Sequence, residues 1–265
     1  MSIPFVIWTF RRTGGTTLTD LMMDLSEHPR IDQEPFNWDR CLGHVSRHWY
    51  DTHDAARLEA DLDAVLADKP LIKHCHELHP DAFNDALFAA AHRHGYRQLV
   101  LDRRDEVGRM LSLELAQMTG AWGKHGSTKR YDRVERGEDV LPPIDIAAAL
   151  GHMRLCQARR HALRARIDAY VPGGTDGTGE AAAVTVVLFE DIYACPIEEG
   201  RPRVRVLLQD LGLTRNDPAG VRQRITHALR WQGQGSARIL PFVPNLDAAR
   251  DALAAEVASW GDPVF

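Results

Sequence analysis

Cysteine is scarce in this sequence: there are four, Cys41, Cys75, Cys156 and Cys195, in 265 residues, with no CxxC pair among them. Their spacing suggests no disulfide framework, and a reducing cytoplasm is the expected setting. Long apolar runs are missing too. Nothing approaches the roughly 18 residues that a bilayer crossing requires. The N-terminus lacks the basic stretch and apolar segment of a signal peptide. No integral membrane segment is therefore expected. Basic charge is not in excess either: 32 Lys and Arg stand against 37 Asp and Glu, a net charge of −5. A general nucleic-acid binder is usually basic, so that class is set aside. An anion site stays open, because arginines and helix ends build one locally whatever the net charge. There is no internal repeat.

What is present is an ordinary globular mixture, 44% hydrophobic and 26% charged,. The length fits one large α/β domain, taken as residues 1–265. Strand-like and helix-like runs alternate. Residues 3–10 are apolar and aromatic and read as a buried strand. Residues 16–26 carry Leu18, Leu21, Met22 and Leu25 at helical spacing,, and Pro29 closes that segment. Further helices are expected at 55–67, 80–94, 105–118, 144–170, 203–211, 218–229 and 246–260. Further strands are expected at 70–73, 98–101 and 184–189, the last being the strongest. Residues 123–143 and 172–183 read as polar loops, the first a candidate mobile lid. The alternation predicts a parallel sheet with helices on both faces.

The most informative stretch is FVIWTFRRTGGTTLTDLM, where a buried strand runs into a glycine turn and an amphipathic helix. Glycines let backbone N–H groups curl around an anion. The helix start adds unpaired N–H groups and a positive dipole end. Thr13, Thr16 and Thr17 offer hydroxyls, and Arg11 and Arg12 offer charge. The turn has no Walker lysine, its glycine spacing is not GxxxxGK[ST], and GxGxxG is absent,. A second stretch, LVLDRRDEVGRMLS, puts Arg104 at a strand end and Ser112 eight positions later in the next helix. Two such groups can converge on one phosphate.

These motifs resemble those of sulfotransferases that use 3′-phosphoadenosine 5′-phosphosulfate (PAPS). Arg12-Thr13-Gly14-Gly15-Thr16-Thr17 is similar to the family's 5′-phosphosulfate loop, with Arg11 where a proline is usual and Gly15 where a hydroxyl residue is usual. Arg104 and Ser112 fit the spacing of its 3′-phosphate motif. Gln117-Met118-Thr119-Gly120-Ala121-Trp122 is similar, with one residue inserted, to a Gln-Thr-Gly-x-Trp stretch of bacterial trehalose-type members. In VTVVLFEDIYACP, Phe189 stands where members keep a tyrosine near adenine, which suits base stacking. The Gly-rich segment 230–238 loosely echoes a C-terminal family loop. The resemblance implies a P-loop-like parallel sheet with helices on both faces. It implies PAPS as sulfuryl donor, its bis-phosphate (PAP) as product, and a hydroxyl of a carbohydrate or small metabolite as acceptor. The donor would be held by Arg11, Arg12, Thr13, Gly14, Gly15, Thr16, Thr17, Arg104, Ser112 and Phe189.

Sulfuryl transfer needs a base near the acceptor hydroxyl and cations near the bridging oxygen. Glu34, in Glu34-Pro35-Phe36, matches a Glu-Pro-Phe that supplies the base in several subfamilies. In LIKHCHELHP, Lys73 matches a lysine that lies near the sulfuryl group. The histidine that follows it in cytosolic members falls at Cys75, so His76 is a candidate as base or as an acceptor-orienting group. His74, Cys75, His76 and His79 could also suggest a metal site. Their spacing is not HExxH and no distant ligand pair is apparent, so no metal is expected. Trp38, Trp49 and Tyr50 could floor an acceptor pocket or pack in the core. An ATP-dependent phosphotransferase and a non-catalytic nucleotide-binding protein on the same fold remain the alternatives.

Overall fold

The computed structural model describes residues 2–122, 124–170, 184–214, 218–230 and 235–265. Its centre is β1 (Phe5–Thr9), whose sequence FVIWT is buried along its whole length. A strand that is apolar on both sides needs cover on both sides, which a parallel sheet between helical layers provides. The chain continues through α1 (Gly15–Leu25), α2 (Gly43–Thr52) and α3 (Ala55–Ala67) to β2 (Ile72–Cys75), then through α4 (Asp81–Arg93) to β3 (Arg97–Asp102). Next come α5 (Glu106–Thr119), α6 (Lys124–Glu135) and α7 (Ile146–Tyr170). Then follow β4 (Thr185–Leu188), the single turn α8 (Phe189–Ile192), α9 (Ile197–Asp210), α10 (Pro218–Arg230) and α11 (Leu246–Ala258). The four strands pair in the order β2-β1-β3-β4, all parallel.

Strand alternation sorts the core into two layers. Phe5 and Ile7 of β1 pack with Leu18, Leu21 and Met22 of α1, and with side chains of α9 and α10. Val6 and Trp8 point the other way, toward α2, α3, α4 and the end of α7. A third cluster joins α5, α6, the start of α7 and α11 at one side. Trp8 could strand its indole N–H in this core. Instead it donates to Gln98 Oε1 on the neighbouring strand at 2.7 Å, which satisfies the buried polar atom.

The strand order changes direction at β1: the chain places β2 on one side of it and β3 on the other. In sheets of this kind the crevice beyond the carboxyl ends of the strands at that reversal is where ligands bind. The loops after β1 and β3 border it.

Several sequence expectations are corrected. Residues 123–143, expected as a loop, contain α6, because Tyr131 and Val134 bury one narrow face while the rest stays charged. That charge hides the helical stripe. Helix α9 begins at Ile197, six residues before the expected 203, and carries Pro202 inside it. Its exposed flank allows water to take the carbonyl that proline leaves unpaired. Helix α2 lies in a stretch for which no element was expected. The strand at 184–189 is shorter, and Phe189 opens α8 instead of ending β4. Val186 on β4 is exposed, as a sheet edge allows. The segment 172–183 lies outside the described residues. No described helix is long and apolar enough to cross a membrane.

Candidate functional site

The turn after β1 is built by its glycines. Gly14 adopts φ +79°, in the left-handed region where a side chain is strained,. A Cβ there would stand 2.8 Å from the Tyr193 ring and 3.1 Å from Phe189. Gly15 has a different reason. A Cβ would meet Lys73 Cε at 3.0 Å, so the lysine stem passes directly under it. That close approach explains why glycine stands at this position. Among the described residues no side chain caps α1, and its first turn holds no acidic residue. The N–H groups at its start are thus free to meet an anion. Gly14→Ala is expected to cost about 2 kcal/mol, from left-handed strain plus overlap with Tyr193. Urea unfolding would read it, and an unchanged midpoint would show that the turn relaxes freely.

The loop's other side chains divide into structural and open groups. Thr13 is buried. Its hydroxyl donates to Phe10 O at 2.8 Å and shares a short hydrogen bond with Thr9. It braces the turn and offers nothing outward. Arg11 is turned away, its backbone N–H and Nε both donating to Glu77 Oε1 at 2.9 and 3.1 Å. Arg12, with φ +71°, donates from Nε to Ser112 Oγ at 3.0 Å. Among the described residues no carboxylate pairs with it. Burial, together with the like charge of Arg103, lowers its pKa. Buried charges normally have partners, so this guanidinium is suited to meet an anion. Thr16 is exposed and Thr17 half-buried at the helix start.

The second loop follows β3. Ser112, on α5, accepts from Arg12 and lies 3.1 Å from Ser236 Oγ, in the turn Ser236–Arg238. The two expected anion grips therefore meet directly through Arg12 and Ser112. Arg104 does not join them. It is exposed, with its guanidinium 3.7 Å from Asp191. Its neighbour Arg103 faces the first loop instead, donating from Nη1 to Arg12 O at 3.5 Å and stacking 4.6 Å from the Phe189 ring centre. Arg103 Nε is buried without a partner. Strand parity contains the signal for this: Leu99 and Leu101 face α1, and Arg103 continues that series. Phe189 sits at Gly14 and under Arg103, so it forms a wall of the crevice.

Glu34 and Lys73 come together although 39 residues separate them. Lys73 Nζ donates to Glu34 Oε1 at 2.7 Å and stands 3.5 Å from Thr16 Oγ1. Asn37 Nδ2 donates to the other carboxylate oxygen at 3.0 Å. Glu34 has φ +56°, a left-handed position that turns its side chain back to the sheet edge. Burial pushes the Glu34 carboxyl up, but the Lys73 ammonium, with hydrogen bonds from Cys75 and Asn37, outweighs it and holds the group below the usual range. Burial likewise opposes the Lys73 charge, and Cys75, Glu34 and Glu77 together more than compensate. Both groups are therefore ionised at neutral pH.

His76 lies on the other side of the sheet. It is fully buried, its ring 4.3 Å from Phe10 and edge-on to Trp8. Burial drives its pKa well below the ordinary histidine value. His74 Nε2 donates to Asn84 Oδ1 at 2.7 Å, and His79 stacks on Phe83. These rings are core. Among the described residues no group of three or more His, Cys, Asp or Glu is placed to hold a metal. Of the aromatic stretch, Trp49 is core while Trp38 is exposed against Tyr50 at 5.6 Å. Sequence reasoning did not single out Arg103, Asn37, Ser236, Glu190 or Tyr193. For Tyr193 the four-residue spacing from Phe189 on one helical turn was the available signal.

Comparison of the chain with protein-family models, with curated proteins and with solved structures finds no match.

Proposed function

We propose that the chain is a sulfotransferase that moves the sulfuryl group of PAPS to a hydroxyl of a carbohydrate or small metabolite. One observation carries the reading. An ionised carboxylate (Glu34), a buried ammonium (Lys73), a hydroxyl (Thr16) and the uncapped start of α1 converge beyond the carboxyl ends of β1 and β2. Arg12, whose guanidinium donates to Ser112 and meets no carboxylate among the described residues, lies in the same loop.

In this reading Glu34 takes the proton of the acceptor hydroxyl as its oxygen attacks sulfur. Lys73 and the α1 N–H groups meet the charge that builds on the bridging oxygen of the departing bis-phosphate. The ammonium, held between Glu34 and Thr16, can move from the carboxylate toward that oxygen as transfer proceeds. Glu34 becomes more basic as it loses its partner. His76 has no role in the step, because it is sealed on the opposite face.

Titration calorimetry with PAP in magnesium-free buffer is expected to show binding; its absence would reject the reading. Glu34→Gln is expected to keep that binding and to lose turnover by about 10²–10⁴-fold. Unimpaired turnover would remove Glu34 as base. The reach of Lys73 to Thr16 also favours a second reading, ATP-dependent phosphotransfer, because it brings an ammonium to a loop that lacks its own lysine. A larger thermal shift with ATP and magnesium than with PAP would select that alternative.

A further inference from the structure

Both anion loops are held by the same short element. Tyr193, which closes α8, donates its hydroxyl to Gly14 O at 3.2 Å, and its ring and that of Phe189 pack flush on Gly14. Glu190 grips the other loop. Its Oε2 accepts the Arg104 N–H at 3.1 Å and its Oε1 accepts the Asp105 N–H at 3.0 Å. Phe189 carries the Arg103 guanidinium on its face. Three side chains of this single turn thus reach two loops that the chain separates by about ninety residues.

The element is itself anchored. Helix α9 lies against it through Gly200, where a Cβ would stand 2.6 Å from Ile192 O. Arg203 donates to Asp191 O at 2.8 Å. Ile192 and Tyr193 belong to the buried cluster formed with α1, α9 and α10. A strut mounted this way moves with the core and not with either loop.

We propose that α8 sets the separation of the two loops, with Glu190 and Tyr193 as its positioning residues. The inference rests on the reading of the loops as seats for two phosphates of one nucleotide. A ligand with a phosphate at each end requires both loops at one spacing. A ligand with a single phosphate follows whichever loop it occupies, and a small shift between loops costs it nothing. Selectivity for a bis-phosphate nucleotide over either monophosphate is then a property of α8, although neither positioning residue contacts the ligand.

The test compares Glu190→Gln and Tyr193→Phe with the unaltered protein, using PAP, 5′-AMP and 3′-AMP as probes. Each variant is expected to weaken PAP about fivefold, the scale of one lost hydrogen bond, and to leave both monophosphates within about twofold. Equal weakening of all three probes would mean simple local damage and would overturn the proposal, as would unchanged PAP affinity. Hydrogen exchange without any nucleotide supplies a second readout. Glu190→Gln is expected to speed exchange at the Arg104 and Asp105 amides, and also at the first protected amides of α1, Leu18 to Leu21. Exchange that changes only at Arg104 and Asp105 would show that α8 does not couple the loops. If the unaltered protein binds no PAP, the sulfotransferase reading fails on that result alone, and the exchange pattern still decides whether α8 is a coupling strut.

Discussion

Lys73→Met is expected to cut turnover by about 10²–10³-fold, the usual cost of removing a donor aimed at developing charge. Methionine keeps the length of the stem that passes under Gly15, so the loop has no reason to move. What disappears is the ammonium 2.7 Å from Glu34. The sign of the second effect follows. In the unaltered protein burial raises the Glu34 carboxyl, and Lys73 with the Cys75 and Asn37 hydrogen bonds outweighs it. Without Lys73 the opposing charge is gone and the carboxyl titrates higher. The acidic limb of the rate profile, set by protonation of Glu34, then moves to higher pH. Carbon NMR titration of labelled glutamate carboxyls would follow the same change without an acceptor. A Glu34 titration that does not move would show that the pair is not coupled, and the role assigned to Lys73 would fall.

Acid is expected to destabilise the fold steeply below pH 6.5, because three histidines are buried neutral. Burial lowers His74 to about 4 and His79 to about 2, and drives His76 well below its ordinary value. Neighbouring charges reinforce this. His74, Arg160, Arg166 and Arg159 act on His76, and His74 acts on His79 against a smaller opposing effect of Glu34; on His74 itself the Asn84 hydrogen bond opposes burial more than Arg166 reinforces it. In the unfolded chain each ring takes a proton near pH 6.5. The unfolded state therefore binds more protons as pH falls, and stability is lost from about pH 6.5 downward until the folded-state values are reached. Each ring costs up to about 1.4 kcal/mol per pH unit. Between pH 7 and 5 the three together remove about 5 kcal/mol, a large share of the stability of an ordinary domain. Urea unfolding at a series of pH values measures the slope. His79→Leu removes one proton site and is expected to flatten it by about one third; a slope independent of that residue would refute the argument.

The histidines also illustrate what a sequence can and cannot locate. LIKHCHELHP presents a lysine and three histidines within seven positions, of which the resemblance picks Lys73 and His76 for chemistry. Alternation along β2 separates them. Lys73 faces α1 and reaches Thr16, while His74 points to the opposite layer and His76 follows it there. A one-residue change of parity moves a side chain through the full thickness of the sheet. The same rule divides Arg103 from Arg104. Spacing alone favoured Arg104, yet only Arg103 lies on the face that carries the first loop.

The strand–turn–helix at residues 5–25 and the parallel α/β layout were determined by the sequence itself. Their causes are local: a strand apolar on both sides, two glycines that permit a tight turn, and leucines at helical spacing. The meeting of Lys73 with Glu34, the contact of Arg12 with Ser112 and the hold of α8 on both loops were decided by the tertiary structure. Each depends on strand order and on which layer a side chain enters, and those are set by packing between segments tens of residues apart, for which no local pattern exists.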